Sequence, residues 1–230
     1  MSSNSNTRTN RRSNGNGSTP KKTNPKRLFW ICTLLFILIV AGGGCGFISA
    51  TLSNLPDVSN VRPSASSQIY DVHGNLITTV HSTENRLPVP LKDVPKDLQN
   101  AFVATEDSRF YTHHGIDPIG ILRAVWVNIV HSGVSEGGST ITQQLARNAF
   151  LSQDRTLKRK ISEALLALKI EQHYTKDEIL EMYMNQIYFG QGAYGVQSAS
   201  HVYFGKDASE LTLAQAALIA GLPQSPNYYS

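Results

Sequence analysis

The sequence predicts a mainly α-helical domain behind a single N-terminal transmembrane helix, with a short β-hairpin before the helical part. Three observations predict it. Residues 28–48 carry no charge and have the length of a bilayer span. Two β-prone runs flank His73-Gly74-Asn75, a hairpin signal. From Pro95 onward helix starts recur: Asp117-Pro118, and the capping boxes Thr140-x-x-Gln143, Thr175-x-x-Glu178 and Thr212-x-x-Gln215.

Residues 1–27 are rich in Ser, Asn, Thr, Lys and Arg with almost no hydrophobe, and are predicted to be a disordered basic tail. Seven of the 21 Lys and Arg lie there, and the first acidic residue is Asp57. Beyond residue 56 there are 14 basic groups against 17 acidic ones. The pI of about 9.1 belongs to the tail, so a nucleic-acid partner loses its main support. Residues 28–48, LFWICTLLFILIVAGGGCGFI, suit a span better than a cleaved signal peptide: the polar leader is long and no A-x-A follows. The GGGC at 42–45 lacks the aliphatic residue expected upstream of a lipoprotein cleavage site. The basic flank keeps the N-terminus cytoplasmic and puts the rest outside the cell membrane. Cys32 and Cys45 would stand about 20 Å apart on one helix and cannot bridge.

Residues 49–94 read as linker and hairpin, and 95–230 as the helical domain. Pro95 opens the first helix, which carries Leu98, Ala101 and Phe102 and closes at Thr105 and Glu106. Asp117-Pro118 starts the next, with Gly133 as its stop. Within 118–131 only Arg123, Asn128 and His131 are polar, so more than one face is apolar. That pattern means a buried helix first, and a surface dipping into lipid second. Ile161, Leu165 and Leu168 mark an apolar stripe on a later helix, and Gly221 with Pro223 ends the last one.

Four clusters carry candidate chemistry. In ATEDSRFYTHHGID, 104–117, Glu106 and Asp107 close a helix. A carboxylate there faces the negative end of the helix dipole, which raises its pKa and suits a general base. The bland alternative is a surface acidic pair with His113 satisfied in the core. In EGGSTITQQLARN, 136–148, Gly137-Gly138 turns the chain and Ser139-Thr140 opens a helix whose N–H groups could hold an anion. Gln143, Gln144, Arg147 and Asn148 add donors. In 155–172, Arg159 and Lys160 share a helix face with Glu163. The structural reading is an ordinary ion pair; the functional one is a diphosphate site. In 175–196, Glu181, Tyr183 and Asn185 read as core packing.

Together these clusters resemble glycosyltransferase family 51, the peptidoglycan glycosyltransferases, which include the N-terminal domains of class A penicillin-binding proteins. Glu106, Asp107, Phe110, His113 and Gly115 match the family's E-D-x-x-F-x-x-H-x-G; Gly137 to Asn148 match its second motif, with Arg147 where Lys is usual. Arg159, Lys160 and Glu163 match R-K-x-x-E, and 179–190 and 203–230 match its later stretches, with Gln215 where Glu is common. The resemblance covers about residues 68–230.

The resemblance implies a lysozyme-like fold and a membrane-bound reaction on lipid II, which is polymerised onto the growing glycan strand with inversion. Glu106 would be the general base and Glu163 a second catalytic carboxylate. Asp107, Phe110, His113, Ser139, Thr140, Gln143, Gln144, Arg147, Asn148, Arg159 and Lys160 would bind substrate. A divalent cation, Mg or Mn, assists in some members, and other cell-wall synthesis proteins are candidate partners. Class A members continue into a transpeptidase domain, so the chain is expected to be truncated at its C-terminus. Two other readings compete: a peptidoglycan-cleaving enzyme, which would need no diphosphate site, and an inactive truncated anchor that binds lipid II or partners.

Overall fold

The computed structural model describes residues 51–53, 55–59, 67–74, 76–80, 85–131, 137–152 and 154–229. The expected tail, transmembrane segment and Gly133 stop lie outside them. Among the described residues no helix is long and apolar enough to cross a membrane. Ile48–Ser230 forms one compact unit.

The hairpin forms where the turn signal put it. Strand β1, Ser67–Tyr70, pairs antiparallel with β2, Leu76–Val80. A second, two-residue pairing was not foreseen: β3, Asn85–Arg86, runs parallel to β4, Ala193–Tyr194. Eight α-helices follow among the described residues: α1 Lys96–Glu106, α2 Pro118–Val130, α3 Ile141–Phe150, α4 Leu157–His173, α5 Lys176–Gln186, α6 Val196–Phe204, α7 Leu213–Gly221 and α8 Pro226–Tyr229.

The capping boxes at Thr140, Thr175 and Thr212 are all formed, and Asp117 caps α2 through Ile119 N. Each satisfies N–H groups that a helix start leaves without partners. Pro95 is the N-cap and not the first helical residue, because its ψ of 141° is extended. Gly221 ends α7 but not the helical run, since a 3-10 turn at Leu222–Gln224 leads into α8. Pro223 fits that turn because a missing N–H costs nothing in a first turn.

The core joins α1 to α7, and α3 to α4 and α5. Leu98, Phe102, Leu145, Leu166, Ile170, Ile179, Leu180 and Tyr183 are fully buried in it. Each such side chain contributes about 1.5–3 kcal/mol on burial. Phe102 meets Tyr183 and Phe189 edge-on at centroid distances of 6.1 and 5.9 Å. The core also reaches back before residue 95. Leu91, Val94 and Val58 are buried, and Glu181 and Asn185 accept hydrogen bonds from Leu91 N and Val89 N at 2.7 and 2.9 Å. A domain boundary at 94/95 therefore falls too late, and the fourth cluster packs the core as read.

Two expected faces are corrected. On α4 the residues turned inward are Glu163, Leu166, Ala167 and Ile170, while Leu168 is exposed. These four recur at helical spacing, so a glutamate sits on the core face. On α2 only Gly120 and Ala124 are buried. Leu122, Trp126 and Ile129 are each 69% exposed, so the buried-helix reading fails.

Candidate active site

Helix α1 stops at Glu106 because Asp107 leaves helical backbone, with φ −159° and ψ 75°. That turn sends the buried Asp107 carboxylate to the start of α3. Its Oδ2 accepts a hydrogen bond from Ile141 N at 3.0 Å, and His113 Nε2 lies 2.9 Å from the same oxygen. An anion does sit at this helix N-terminus, then, but it is the protein's own. Thr140 N donates to Gln143 Oε1, Gln143 N to Thr140 Oγ1, and Thr140 Oγ1 to Gly115 O at 2.6 Å. The expected open anion site at the α3 start is filled from within.

Gly115 holds this frame against α4. Its φ is +79°, and a Cβ there would stand 2.9 Å from Ala167 C and O. Helix backbone cannot yield as a flexible side chain could. Gly115→Ala is expected to lower stability by about 2–3 kcal/mol, from overpacking plus left-handed strain, read by chemical denaturation. A loss under half a kcal/mol would mean that the loop relaxes freely.

One turn into α3, Gln144 Nε2 donates to Glu106 Oε2 at 2.8 Å. Glu106 Oε1 is buried with no hydrogen-bond partner among the described residues. Burial pushes the Glu106 carboxyl above its ordinary pKa; the Gln144 hydrogen bond and the Arg147 charge offset part of this, and Asp107 adds to it. The direction matches the sequence expectation, but the leading cause is desolvation and not the helix end. Glu106 lines a cleft of about 450 Å³ with Ser108, Arg123, Ser139, Gln144 and Arg147 among its walls.

Glu163 is fully buried and takes two cations. Arg159 Nη1 donates to Oε2 at 2.6 Å, and Lys160 Nζ donates to Oε1. Lys160 Nζ also donates to Ser139 Oγ at 2.7 Å, tying α4 to the cleft wall. Two cations against one carboxylate leave a net positive charge beside that wall. Both Glu163 oxygens are taken, and among the described residues no group of three or more His, Cys, Asp or Glu could hold a metal ion.

Glu106 is thus a buried carboxylate with one unpartnered oxygen, in a cleft whose wall is backed by cations. The family model described as Transglycosylase matches residues 73–230. The chain belongs to the transglycosylase family. It is 50% identical over 207 residues to penicillin-binding protein 1A of Escherichia coli (strain K12), covering 89% of this chain and 24% of that protein. It is 44% identical over 211 residues to penicillin-binding protein 1F of Bacillus subtilis (strain 168), covering 91% and 29%. A crystal structure of penicillin-binding protein 1A from Haemophilus influenzae aligns with 74% of this chain and 16% of that one, at 29% identity and a TM-score of 0.35. The chain thus spans about a quarter of the length of the curated relatives it matches.

The transglycosylase motifs divide into two sets in space. Glu106, Ser139, Gln144 and Arg147 line the cleft, with Arg159, Lys160 and Glu163 joined to it through Ser139. Asp107, His113, Thr140 and Gln143 are buried and bonded within the protein. Phe110 is fully buried, with Lys176 Nζ 4.4 Å above its ring. These five frame the cleft without lining it. Asn148 is exposed on α3 and off the cleft wall. Ser108, Arg123 and Gln224 line the cleft but were not among the expected site residues. For Arg123 a signal existed: it is the one charged residue in the apolar stretch 118–130.

Proposed function

We propose that this transglycosylase domain polymerises lipid II into β-1,4-linked glycan on the outer face of the membrane, within a lysozyme-like helical fold. The observation that carries the proposal is Glu106 Oε1, a buried carboxylate oxygen with no hydrogen-bond partner among the described residues, on a residue that lines a cleft shared with Arg147. The 4-hydroxyl of the acceptor GlcNAc gives its proton to that oxygen as its own oxygen attacks the anomeric carbon of the donor. The bond from that carbon to the α-linked diphosphate breaks, the configuration inverts, and undecaprenyl diphosphate leaves. Negative charge grows on the leaving diphosphate, and Arg147 on the cleft wall, with Lys160 and Arg159 held by Glu163 behind it, supplies the compensating positive charge. A divalent cation is proposed to arrive with the diphosphate, since both Glu163 oxygens are already taken. Incubating the protein in detergent with purified lipid II and resolving the product on a gel tests the reading. A ladder of glycan supports it. Cleaved glycan favours the hydrolase reading, and intact lipid II that stays bound favours the inactive anchor.

The apolar face of α2 supports a membrane as the working surface. Ile119, Leu122, Val125, Trp126, Ile129 and Val130 are all exposed, with no acidic residue on the helix. Replacing Leu122 and Trp126 together by Ser is expected to weaken binding of residues 48–230 to phospholipid vesicles by about ten-fold or more, from the lost apolar burial. Equal sedimentation of both proteins with vesicles would remove this contact.

A further inference from the structure

We propose that Tyr183 is a positioning residue for the base: it fixes which end of the Gln144 side-chain amide faces Glu106. This deepens the reading above and rests on Glu106 being the proton acceptor. The fourth motif was expected only to pack the core, and Glu181 and Asn185 do so. Tyr183 does more. Its ring is fully buried in α5 and stands edge-on to Phe102, at 81° and 6.1 Å. Phe102 lies four residues before Glu106 on α1, so the same ring is set against the helix that delivers the base. The Tyr183 hydroxyl donates to Gln144 Oε1 at 3.4 Å.

A carboxamide has two ends of nearly the same size and opposite hydrogen-bonding character. With the NH2 end toward Glu106, Gln144 donates to Oε2 at 2.8 Å, and Oε1 keeps no partner and can stay ionised to take a proton. With the amide turned over, an oxygen would face the carboxylate, which must then bind a proton to avoid the repulsion. A buried phenol discriminates between the two states. Burial holds its pKa well above the ordinary value, so it stays a donor and selects the amide oxygen. Glu106 is faced also by the Arg147 charge from α3 and by Asp107, which is bound to His113; Arg123 lines the cleft from α2. None of these reads the polarity of the amide.

Tyr183→Phe keeps the ring and removes only the donor. In lipid II polymerisation it is expected to lower kcat at pH 7 about ten-fold with KM within about two-fold, because ground-state contacts are unchanged. The acid limb of the pH profile is expected to move upward, since a lost hydrogen bond to the ionised form makes Glu106 easier to protonate. In a Gln144→Leu background the same substitution should change kcat less than about two-fold, because its effect passes through the amide. The Glu106 carboxyl, followed by NMR in carbon-labelled protein, should titrate at higher pH in Tyr183→Phe than in the unsubstituted chain. That titration needs no turnover, so it decides the inference even if the chain fails to polymerise lipid II. An unmoved Glu106 titration, or an equal kcat loss with and without Gln144, would overturn the role of Tyr183 and leave the proposed function standing.

Discussion

Glu106→Gln is expected to reduce lipid II polymerisation by about a thousand-fold or more, toward the upper range for loss of a general base. The substitution preserves shape. The new amide oxygen can still accept from Gln144 Nε2, which now donates at 2.8 Å, so the walls of the cleft should hold their places. What disappears is the unpartnered, ionisable oxygen. The fold should not suffer. Burial raises the Glu106 pKa, so ionising it costs the folded state more than the unfolded one. That cost is absent below the unfolded pKa and is felt in full once pH rises past the folded value. At neutral pH the neutral glutamine escapes it, and the thermal midpoint should be equal to or above that of the parent. In the parent, kcat/KM should climb with pH along a limb displaced upward from that of an ordinary carboxylate. Gel assay, thermal melt and pH profile together check this. Retained polymerisation in a folded Glu106→Gln protein would end the case for Glu106 as base.

The same residue shows how much of the site was legible in the sequence. Helix ends are local events, written in caps and prolines, so the position of Glu106 at the end of α1 and the start of α3 at Thr140 could be read from residues a few places apart. The cause of the raised Glu106 pKa could not, because burial depends on which helices close over it. Asp107 makes the point more sharply. Its neighbour along the chain is the proposed base, and its partners in space are His113 and the backbone of Ile141, 34 residues away. Nothing in the local pattern separates a carboxylate that binds substrate from one that caps a distant helix.

Helix faces failed in the sequence for a related reason. On α4 the apolar stripe pointed to Ile161, Leu165 and Leu168, yet the helix is rolled so that Glu163 faces inward. Burying that carboxylate is tolerable because Arg159 and Lys160 answer both oxygens. On α2 the hydrophobic count was right and the inference of a covered helix was wrong. Composition reports that a surface avoids water and does not report whether protein or lipid replaces it.

The second large effect is expected on α4, where two substitutions that look alike should part company. Lys160→Ala removes a cation and unties Ser139 from α4. It is expected to lower kcat by about a hundred-fold, typical for loss of one donor to developing charge, and to weaken binding of undecaprenyl diphosphate as well. Glu163→Gln keeps both cations but releases their aim, because the charge that Arg159 and Lys160 now converge on is gone. The remaining pair should still attract a diphosphate, so product affinity should hold within about three-fold, while kcat falls by an amount similar to the lysine variant because preorganisation and not charge alone stabilises the transition state. Product inhibition and single-turnover rates, measured on both variants, separate binding from chemistry. Lys160→Ala with unchanged affinity for undecaprenyl diphosphate would show that this lysine serves the turn at Ser139 alone. A Glu163→Gln protein with the parent's kcat would mean that the cations find the leaving group without a carboxylate to hold them.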